Sequence, residues 1–440
     1  MQLYNALSGR LEPFTAGGHG VGLYVCGITP YDTTHIGHCF TYAVFDVLVR
    51  RLELAGRRVR YVQNVTDIDD DLLRRARDVD DDWRQLGNRW TVHFIDDNRA
   101  LNIRPPDVLP KASEAIRPII ASVEALLASG VAYAANGSVY YEIAADPGYG
   151  KLSRLNPAEM LPLANERGNN PADPNKRDPL DFVLWQAQAA GEPAWDSPWG
   201  PGRPGWHIEC STLARLHLEE PVDIHGGGLD LIYPHHESEI AQAETESGRG
   251  PFSRFWLHVA MVRYQGEKMS KSLGNLVMVR DLLAQGWPAD AIRALMAGRH
   301  YRDSWNYEPA DLEAAAGQAA ALEAAVEVEP EEDGGRAGSG EVAAEAYRER
   351  FLAALDDDLN TPLALDTLLE LAAAITTAAA GGGDIAAAQA TMRELAAVLG
   401  LRLDRAGPEP EVVAGWQAHR RRFAEPQPDS PGRPRLMRAP

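Results

Sequence analysis

Residues 22–38 read GLYVCGITPYDTTHIGH, and this stretch decides the fold. Its first part, residues 22–27, is a short apolar run bounded by glycines and predicts a buried strand. Apolar residues at helical spacing follow from Ala43 to Leu54, and a second apolar run, Val59 to Val65, predicts another strand. A strand, a helix and a strand in succession predict a Rossmann-type parallel α/β sheet of the nucleotide-binding kind.

An inserted subdomain is predicted at about residues 111–205. Residues 111–130 indicate a helix ending at a glycine, and residues 131–143 indicate a hairpin around Asn136-Gly137. The following stretch, residues 146–205, is rich in Pro, Gly and Asn. We expect it to pack over the sheet edge, because a structureless loop of that length is improbable.

The second half of the chain changes character. Strand signals at 222–225 and 255–262 complete the sheet, and from about residue 310 the composition turns to Ala, Leu and Glu, which predicts helices at 309–327 and 341–400. The predicted domains are an α/β core at 1–310, a helix and flexible acidic linker at 311–340, a C-terminal α-helical domain at 341–405 and a disordered Pro-rich tail at 406–440.

Composition excludes several classes of protein. The chain has 440 residues, which is too long for a small disulfide-stapled scaffold, and its net charge of −20 argues against indiscriminate binding to nucleic acid. No stretch approaches the roughly 18 uncharged apolar residues of a membrane span. The N-terminus lacks a secretory signal, so we expect a cytoplasmic protein whose three cysteines are thiols, either buried or chemically active.

The tetrapeptide HIGH, residues 35–38, lies between the first strand and its helix. An α/β sheet opens its ligand crevice at this position, and a helix N-terminus there offers backbone donors to phosphate. Two imidazoles, His35 and His38, are therefore candidates to bind triphosphate oxygens. The alternative is that either histidine is an ordinary surface or core residue.

A second short motif, KMSKS at residues 268–272, follows the last predicted strand. Lys268 and Lys271 present two ammonium groups that can clamp a transferring phosphate, although a solvated lysine loop is the alternative. HxGH after the first strand and KMSKS after the last, in that order, resemble the class I aminoacyl-tRNA synthetases.

A third constellation combines sulfur, nitrogen and oxygen donors. Cys26 closes the first strand, Cys210 follows GWHIE, and His235 and Glu239 are four residues apart, which places them on one face if the segment is helical. Two thiolates, an imidazole and a carboxylate suit Zn²⁺, whose presence would favour a thiol substrate over a hydroxyl. The alternative is that both cysteines are small buried hydrophobes.

Six segments together make the resemblance specific to the cysteinyl-tRNA synthetase family over roughly residues 1–310: LYVCGITPYDTTHIGH, YVQNVTDIDD, KRDPLDFVLWQA, EPAWDSPWGPGRPGWHIECS, DIHGGGLDLIYPHHESEIAQ and GEKMSKSLGN. The resemblance implies ATP-dependent activation of L-cysteine, with Mg²⁺-bound ATP, and transfer to tRNA(Cys), with no DNA or membrane partner. It also implies residue roles: one zinc per chain on Cys26, Cys210, His235 and Glu239, a cysteine pocket with Thr66 and Trp206, and nucleotide contacts from Thr29, His35, His38, Lys271, His225 and Gly226-Gly227-Gly228. Cys39 matches no ligand position of the family and is interpreted as packing.

The acceptor is the open question. The cysteine ligase of mycothiol biosynthesis, which acylates the amine of glucosaminyl-inositol, is also similar, notably in CGITPYD, in Asp82-Trp83-Arg84 and at Trp305. Glu239 and the helical region LAALDDDLNTPLALDTLLELA favour the synthetase, since the ligase family does not keep that glutamate. The segment VVAGWQAHRRRFAE breaks into Pro-rich sequence where synthetases continue into an anticodon-reading module, so anticodon recognition is in doubt.

Two further readings stay open. Residues 418–422 are basic enough to contact phosphate, or they form a solvated helix end. A catalytically silent nucleotide-binding paralogue is the third functional hypothesis, which the intact nucleotide signatures and ligand set disfavour.

Overall fold

The computed structural model describes residues 1–15, 20–31, 33–269, 273–330, 342–403 and 407–424. The strands are β1 (Gln2–Asn5), β2 (Arg10–Pro13), β3 (Val21–Ile28), β4 (Val59–Val65), β5 (Ala132–Ala135), β6 (Ser138–Tyr141), β7 (Phe182–Ala187), β8 (Gly202–Pro204), β9 (Val222–Gly228), β10 (Ser253–Val259), β11 (Val262–Tyr264), β12 (Glu267–Lys268) and β13 (Trp305–Tyr307). The α-helices are α1 (Ile36–Leu54), α2 (Asp70–Asp78), α3 (Trp83–Ala100), α4 (Ile116–Ser129), α5 (Pro157–Glu166), α6 (Trp206–His217), α7 (Glu237–Ser247), α8 (Val279–Ala284), α9 (Ala289–Ala297), α10 (Pro309–Glu327), α11 (Ala344–Asp356), α12 (Thr361–Ala380), α13 (Ala386–Val398) and α14 (Pro410–Ala424).

A central sheet of order β10-β9-β3-β4 organises the catalytic half of the chain, and each neighbouring pair runs parallel. Its strands are apolar along most of their length, because helices cover both faces of a parallel sheet. The predicted fold class is confirmed. Helix α1 begins at Ile36 instead of Ala43, since His35 caps its N-terminus and starts the helix before the apolar periodicity becomes visible.

The insertion forms a second sheet of order β5-β6-β7-β8, all antiparallel. As the sequence indicates, a hairpin turns at Asn136 and Gly137, whose φ values of 50° and 85° match the turn that Asn-Gly favours. Helix α4 ends at Gly130, which adopts the left-handed conformation. Helix α6 then returns the chain to the central sheet and contacts β4.

Two helices directly after β4 escaped the sequence analysis. Asp69 caps α2 by accepting from the Asp71 amide, and Asp82 caps α3 by accepting from the amides of Arg84 and Gln85. Side chains of this type at the first position of a helix satisfy backbone donors that the helix itself leaves unpaired. These two caps were the local signals for helices in this stretch.

Helices α10 to α13 pack together after the sheet domain. Contrary to the sequence expectation, one described helix, α12, is long and apolar enough to cross a membrane by length and composition, although it carries Asp366 and Glu370. Half of its most apolar window is buried inside the protein. Its side chains Leu368, Leu371 and Ile375 belong to the largest hydrophobic core. It packs as the central helix of a bundle. The predicted acidic linker falls largely within residues 331–341, outside the described part of the chain.

The tail predicted at 406–440 is wrong for residues 410–424, which form helix α14. This helix packs on α3 and buries Val412, Trp416 and Phe423. Their spacing places them on one face of the helix. A helix this short is stable because that face packs on α3. Residues 425–440 lie outside the described chain.

A buried ion pair joins the sheet domain to the helical bundle. Asp46 in α1 accepts a hydrogen bond from Arg293 of α9 at 2.7 Å, and the Arg293 Nε donates to the carbonyl of Leu399 at 3.0 Å. Gly400 is required beside this contact, because its φ is 73° and a Cβ there would lie 1.8 Å from the guanidinium. Burial alone raises the pKa of Asp46, but Arg50 and Arg293 outweigh it and hold that pKa below its usual value.

Replacing Arg293 with Met should therefore lower the free energy of unfolding by about 3 kcal/mol, at the low end for a broken buried pair because Arg50 still faces Asp46. Urea unfolding at neutral pH measures the loss. The matched control is Arg350→Met, which removes an exposed pair with Glu370 and should leave the midpoint unchanged.

The loss should also depend on pH. A carboxyl whose pKa is depressed in the folded state contributes stability above its unfolded pKa, about 4, and that contribution disappears as pH falls through the folded value. The difference between wild type and Arg293→Met should shrink below about pH 4. Equal losses at pH 7 and pH 3 would show that packing alone, and not the ion pair, holds this contact.

Candidate active site

The candidate site lies where the strands of the central sheet end. Cys26 and Thr66 come at the end of β3 and directly after β4, and the run His225 to Gly228 closes β9. All three strands are parallel, so their carboxyl ends share one edge of the sheet. Gly226 is required there by close packing, because a Cβ would lie 2.2 Å from the Phe45 ring of α1.

Four metal-type donors converge at this edge from separate segments. Cys26 comes from β3, Cys210 from α6, His235 from the turn before α7 and Glu239 from the first turn of α7. Their donor atoms all lie within 4.8 Å of one another, and all four residues are buried. Glu239 Oε1 lies 3.4 Å from Cys26 Sγ and 3.1 Å from His235 Nε2. The cluster that the sequence analysis proposed is therefore assembled in the fold.

A second set of donors overlaps the first. His225 and His236, with Cys26 and Glu239, also place their donor atoms within 4.8 Å of one another. His225 Nε2 lies 3.7 Å from the Cys26 sulfur and 3.2 Å from Glu239 Oε2, and its ring stacks on Trp256. This histidine is completely buried beside the thiol cluster. A nucleotide role for it stays a prediction.

Three histidines of this cluster were missed by sequence reasoning. His236 places Nε2 3.3 Å from the Cys26 sulfur and Nδ1 2.8 Å from His258 Nε2. His207 Nδ1 lies 2.9 Å from His235 Nδ1. The adjacent pair of histidines at 235–236 was the available signal, whereas His207 and His258 carry no pattern that distinguishes them from core residues.

Burial sets the charge state of the cluster. It raises the pKa values of the Cys26 thiol and the Glu239 carboxyl, and it lowers that of His235. It also lowers the pKa of His207 to about 3. Burial therefore favours the neutral form of each of these four groups. A divalent cation between them would instead favour two thiolates and a carboxylate, the forms that bind metals.

The predicted pocket residues are connected to the segments that carry this cluster. Trp206 stacks on His235 with ring centroids 4.3 Å apart and an interplanar angle of 23°. Thr66 is buried and accepts a hydrogen bond from Asn64, whose own side chain accepts from the Gly27 amide next to Cys26. Both residues are thus tied to the ligand-bearing segments.

The HIGH segment is built into the start of α1. His35 caps the helix by accepting hydrogen bonds at Nδ1 from the amides of Gly37, at 3.1 Å, and His38, at 3.4 Å. The two imidazoles stack with centroids 3.7 Å apart. Thr29 follows β3 at the same edge, half-buried.

The chain that follows KMSKS returns to the HIGH segment. Ile36 donates its amide to Val277, and Val279 donates its amide to Thr34. Residues 277–279, shortly after the second predicted nucleotide signature, are therefore neighbours of the first signature in the fold. Lys268 pairs with Asp230, just after the glycine run, at 3.2 Å. Lys271 lies outside the described residues.

Comparison with known families gives two matches that together cover most of the chain. Residues 14–317 match the family profile described as the tRNA synthetases class I (C) catalytic domain. Residues 350–404 match the DALR domain. The first match spans the central sheet, the insertion and the candidate site, and the second spans α11 to α13 apart from the start of α11.

Similar proteins fall into two functional groups. The cysteine–tRNA ligase of Dehalococcoides mccartyi is 44% identical over 93% of this chain and 88% of that protein. The L-cysteine:1D-myo-inositol 2-amino-2-deoxy-alpha-D-glucopyranoside ligase of Thermomonospora curvata is 45% identical over 84% of this chain and 86% of that protein. Among solved structures, a Mycobacterium tuberculosis methionyl-tRNA synthetase shares the fold, with a TM-score of 0.59 at 16% identity over 87% of this chain and 90% of that one.

Proposed function

This chain belongs to the cysteine type of class I tRNA synthetase, and from that premise we propose that it forms cysteinyl-adenylate and transfers the cysteinyl group to the 3′ end of tRNA(Cys). One observation carries the proposal. A buried set of two thiols, an imidazole and a carboxylate lies on the same sheet edge as the HIGH segment and the chain after KMSKS. This supports the proposal that thiol recognition and nucleotide binding take place at one edge of the sheet.

The reaction has two steps. The cysteine carboxylate attacks the α-phosphorus of Mg²⁺-bound ATP, the bond to the β-phosphate oxygen breaks, and pyrophosphate leaves. A ribose hydroxyl then attacks the acyl carbon, loses its proton, and AMP leaves. His35, His38, Lys268 and Lys271 are assigned to the phosphates, where positive charge and ring donors stabilise the charge that builds in the transition state.

We infer that Cys26, Cys210, His235 and Glu239 hold one Zn²⁺. The donor set fits, because sulfur, nitrogen and oxygen ligands at a buried site suit a borderline-soft ion. When bound, zinc gives a substrate thiol a ligand position that a hydroxyl fills poorly. This would separate cysteine from serine.

Two residues complete the proposed cysteine pocket. Trp206 covers the His235 ring with its indole and would fix that imidazole in place. Thr66, held by Asn64 beside Gly27, would close the pocket from the β4 side.

The residues proposed to bind the nucleotide are assigned from their position in the sheet. Thr29, His225 and the glycines 226–228 lie at the carboxyl ends of β3 and β9, where nucleotides bind in open α/β sheets. The packing of Gly226 against α1 explains that glycine independently. A Cβ at Gly227 would lie 2.8 Å from the end of the Leu231 side chain, and one at Gly228 would lie 2.7 Å from Asp230 Oδ1, so these glycines are proposed for close approach to an adenylate on their position alone.

A second candidate acceptor is a small amine, as in the Thermomonospora curvata ligase, which has similar identity. Helix α14 also fits that alternative. Its Arg420 and Arg422 pair with Asp96 and Glu114 within the protein, so their charges are already compensated without tRNA phosphates. The DALR match at residues 350–404 and the presence of Glu239 in the cluster support tRNA. We take tRNA as the acceptor.

Zinc content tests the metal assignment. Protein purified without chelator should carry one zinc per chain, and Cys210→Ser should lose it and weaken cysteine activation far more than ATP binding. Elemental analysis and cysteine-dependent pyrophosphate exchange measure both effects. Cys39→Ala is the matched control, since Cys39 is equally buried but lies outside the cluster. Full activity in zinc-free wild type would remove the assignment.

Lysine substitution tests the phosphate clamp. Lys271→Ala should slow adenylate formation on the order of 10²-fold while changing ATP affinity much less, because its charge matters most in the transition state. Rapid-quench measurement of adenylate separates rate from binding. Lys151→Ala, which removes a surface ammonium paired with Glu244, serves as control. If adenylate formation by Lys271→Ala stayed within about threefold of the wild-type rate, Lys271 would be an ordinary surface lysine without a role in the reaction.

Competition between acceptors tests the transfer step. Given ATP, labelled cysteine, tRNA(Cys) and glucosaminyl-inositol together, the enzyme should charge the tRNA. The affinity for tRNA should fall with added salt, with a logarithmic slope of about −0.7 to −0.9 per phosphate contact. Rapid acylation of glucosaminyl-inositol without any charged tRNA would reverse the choice of acceptor and leave cysteine activation intact.

A further inference from the structure

The C-terminal helix α14 is bound to the sheet domain through a short segment, residues 103–114. Trp416 is buried and donates from Nε1 to the carbonyl of Ile103 at 2.7 Å. Its ring also packs edge-to-face on Phe94 of α3, with centroids 6.0 Å apart. Gly415 permits this approach, because a Cβ there would lie 2.4 Å from the Pro105 ring.

The end of α14 makes four further contacts with the same segment. His419 Nε2 lies 2.8 Å from the carbonyl of Pro106, and Arg422 Nη1 donates to the carbonyl of Leu109 at 2.8 Å. Arg422 also forms an ion pair with Glu114. In addition, the Lys111 ammonium lies over the Phe423 ring, 4.8 Å from its centroid.

This segment is an irregular extra edge of the central sheet. Val108 and Lys111 bridge to Val62 and Val65 of β4 in parallel orientation. The amide of Val65 donates to Pro110 at 2.8 Å, and that of Gln63 donates to Val108 at 3.0 Å. Its sequence, IRPPDVLPK, contains three prolines, which have no amide donor, so it cannot form a regular ladder. The carbonyls of residues 103, 106 and 109 are instead satisfied by α14.

The same segment reaches the candidate site. Ser113 donates to Asp67 through its amide at 2.9 Å and through its hydroxyl at 2.5 Å. Asp67 directly follows Thr66, whose amide donates to Ile28 at the end of β3. Arg422 is therefore connected to the loop that carries Thr66 by its hydrogen bond to Leu109, the backbone of residues 109–113 and the hydrogen bonds from Ser113 to Asp67.

The beginning of α14 is fixed as well. Glu409 pairs with Arg50 of α1 at 3.0 Å, and its amide donates to Asn102. Both ends of the helix are thus attached to the sheet domain, one at α1 and α3 and the other at the segment beside β4.

We propose that helix α14 is a positioning element for the cysteine pocket: it holds residues 103–114 against β4 and thereby fixes the Asp67–Thr66 loop. This inference rests on the proposed function, because Thr66 is assigned to cysteine there. Arg422 acts through Leu109, Glu114 and Ser113 and is a positioning residue, without contact to the reacting atoms. Small displacements of such supports are expensive, since a misplacement of about 1 Å can cost on the order of 10²-fold in rate.

The test compares two arginines on the same helix. Arg422→Gln removes the contacts to Leu109 and Glu114, whereas Arg420→Gln removes only the pair with Asp96 on α3. In cysteine-dependent pyrophosphate exchange, Arg422→Gln should raise the KM for cysteine on the order of tenfold and leave the KM for ATP within about twofold. Arg420→Gln should change neither, and Arg422→Lys should restore part of the loss.

Hydrogen exchange gives a readout that does not depend on activity. Arg422→Gln should accelerate amide exchange in residues 107–115, and Arg420→Gln should not. Equal effects of the two variants on KM and on exchange, with matching losses in thermal midpoint, would reduce α14 to a general stabilising helix and overturn the proposal. If the wild-type protein showed no cysteine-dependent pyrophosphate exchange, the proposed function itself would be contradicted. Failure of the positioning proposal and failure of the proposed function are therefore distinguishable.

Discussion

The site depends on one geometrical constraint, which is that parallel strands end at the same edge of their sheet. β3, β4 and β9 deliver a thiol, a threonine and a histidine–glycine run to that edge, although these residues are up to about 200 positions apart in sequence. Helices α6 and α7 then bring Cys210 and Glu239 over it. A shift of register in any of these strands would carry its donor out of reach, so the hydrogen bonds of the ladder maintain the donor distances.

Electrostatics makes the same cluster unfavourable without a ligand. Burial in an apolar environment favours the neutral forms of the Cys26 thiol, the Glu239 carboxyl and the His236 imidazole. The rings of Trp206 and Trp256 stack on His235 and His225 without supplying charge. Hydrophobic residues of similar volume would make the folded protein more stable than this polar cluster does. The cluster is therefore explained by ligand binding and not by a contribution to stability.

The sequence predicted the parallel sheet because strand–helix–strand order is a local pattern. It predicted the donor set Cys26, Cys210, His235 and Glu239 from the four-residue spacing of His235 and Glu239 together with the resemblance of the surrounding segments to a known family. It could not predict His207 and His258, since a single buried histidine has no periodic signature and acquires its role only from its neighbours in space. The sequence analysis assigned helix α14 to a disordered tail for a related reason. Its apolar face is short and flanked by prolines. Its partner α3 was itself not predicted, so nothing in the sequence indicated the surface that stabilises the helix.

The cap of α1 also fixes the proton arrangement of a histidine. Because Nδ1 of His35 accepts the amide hydrogens of Gly37 and His38, it must carry a lone pair, and the neutral ring therefore keeps its hydrogen on Nε2. The helix thus selects one tautomer through its own backbone. An oxygen anion arriving at Nε2 meets a hydrogen-bond donor even when the imidazole is uncharged, so that contact does not require acidic conditions.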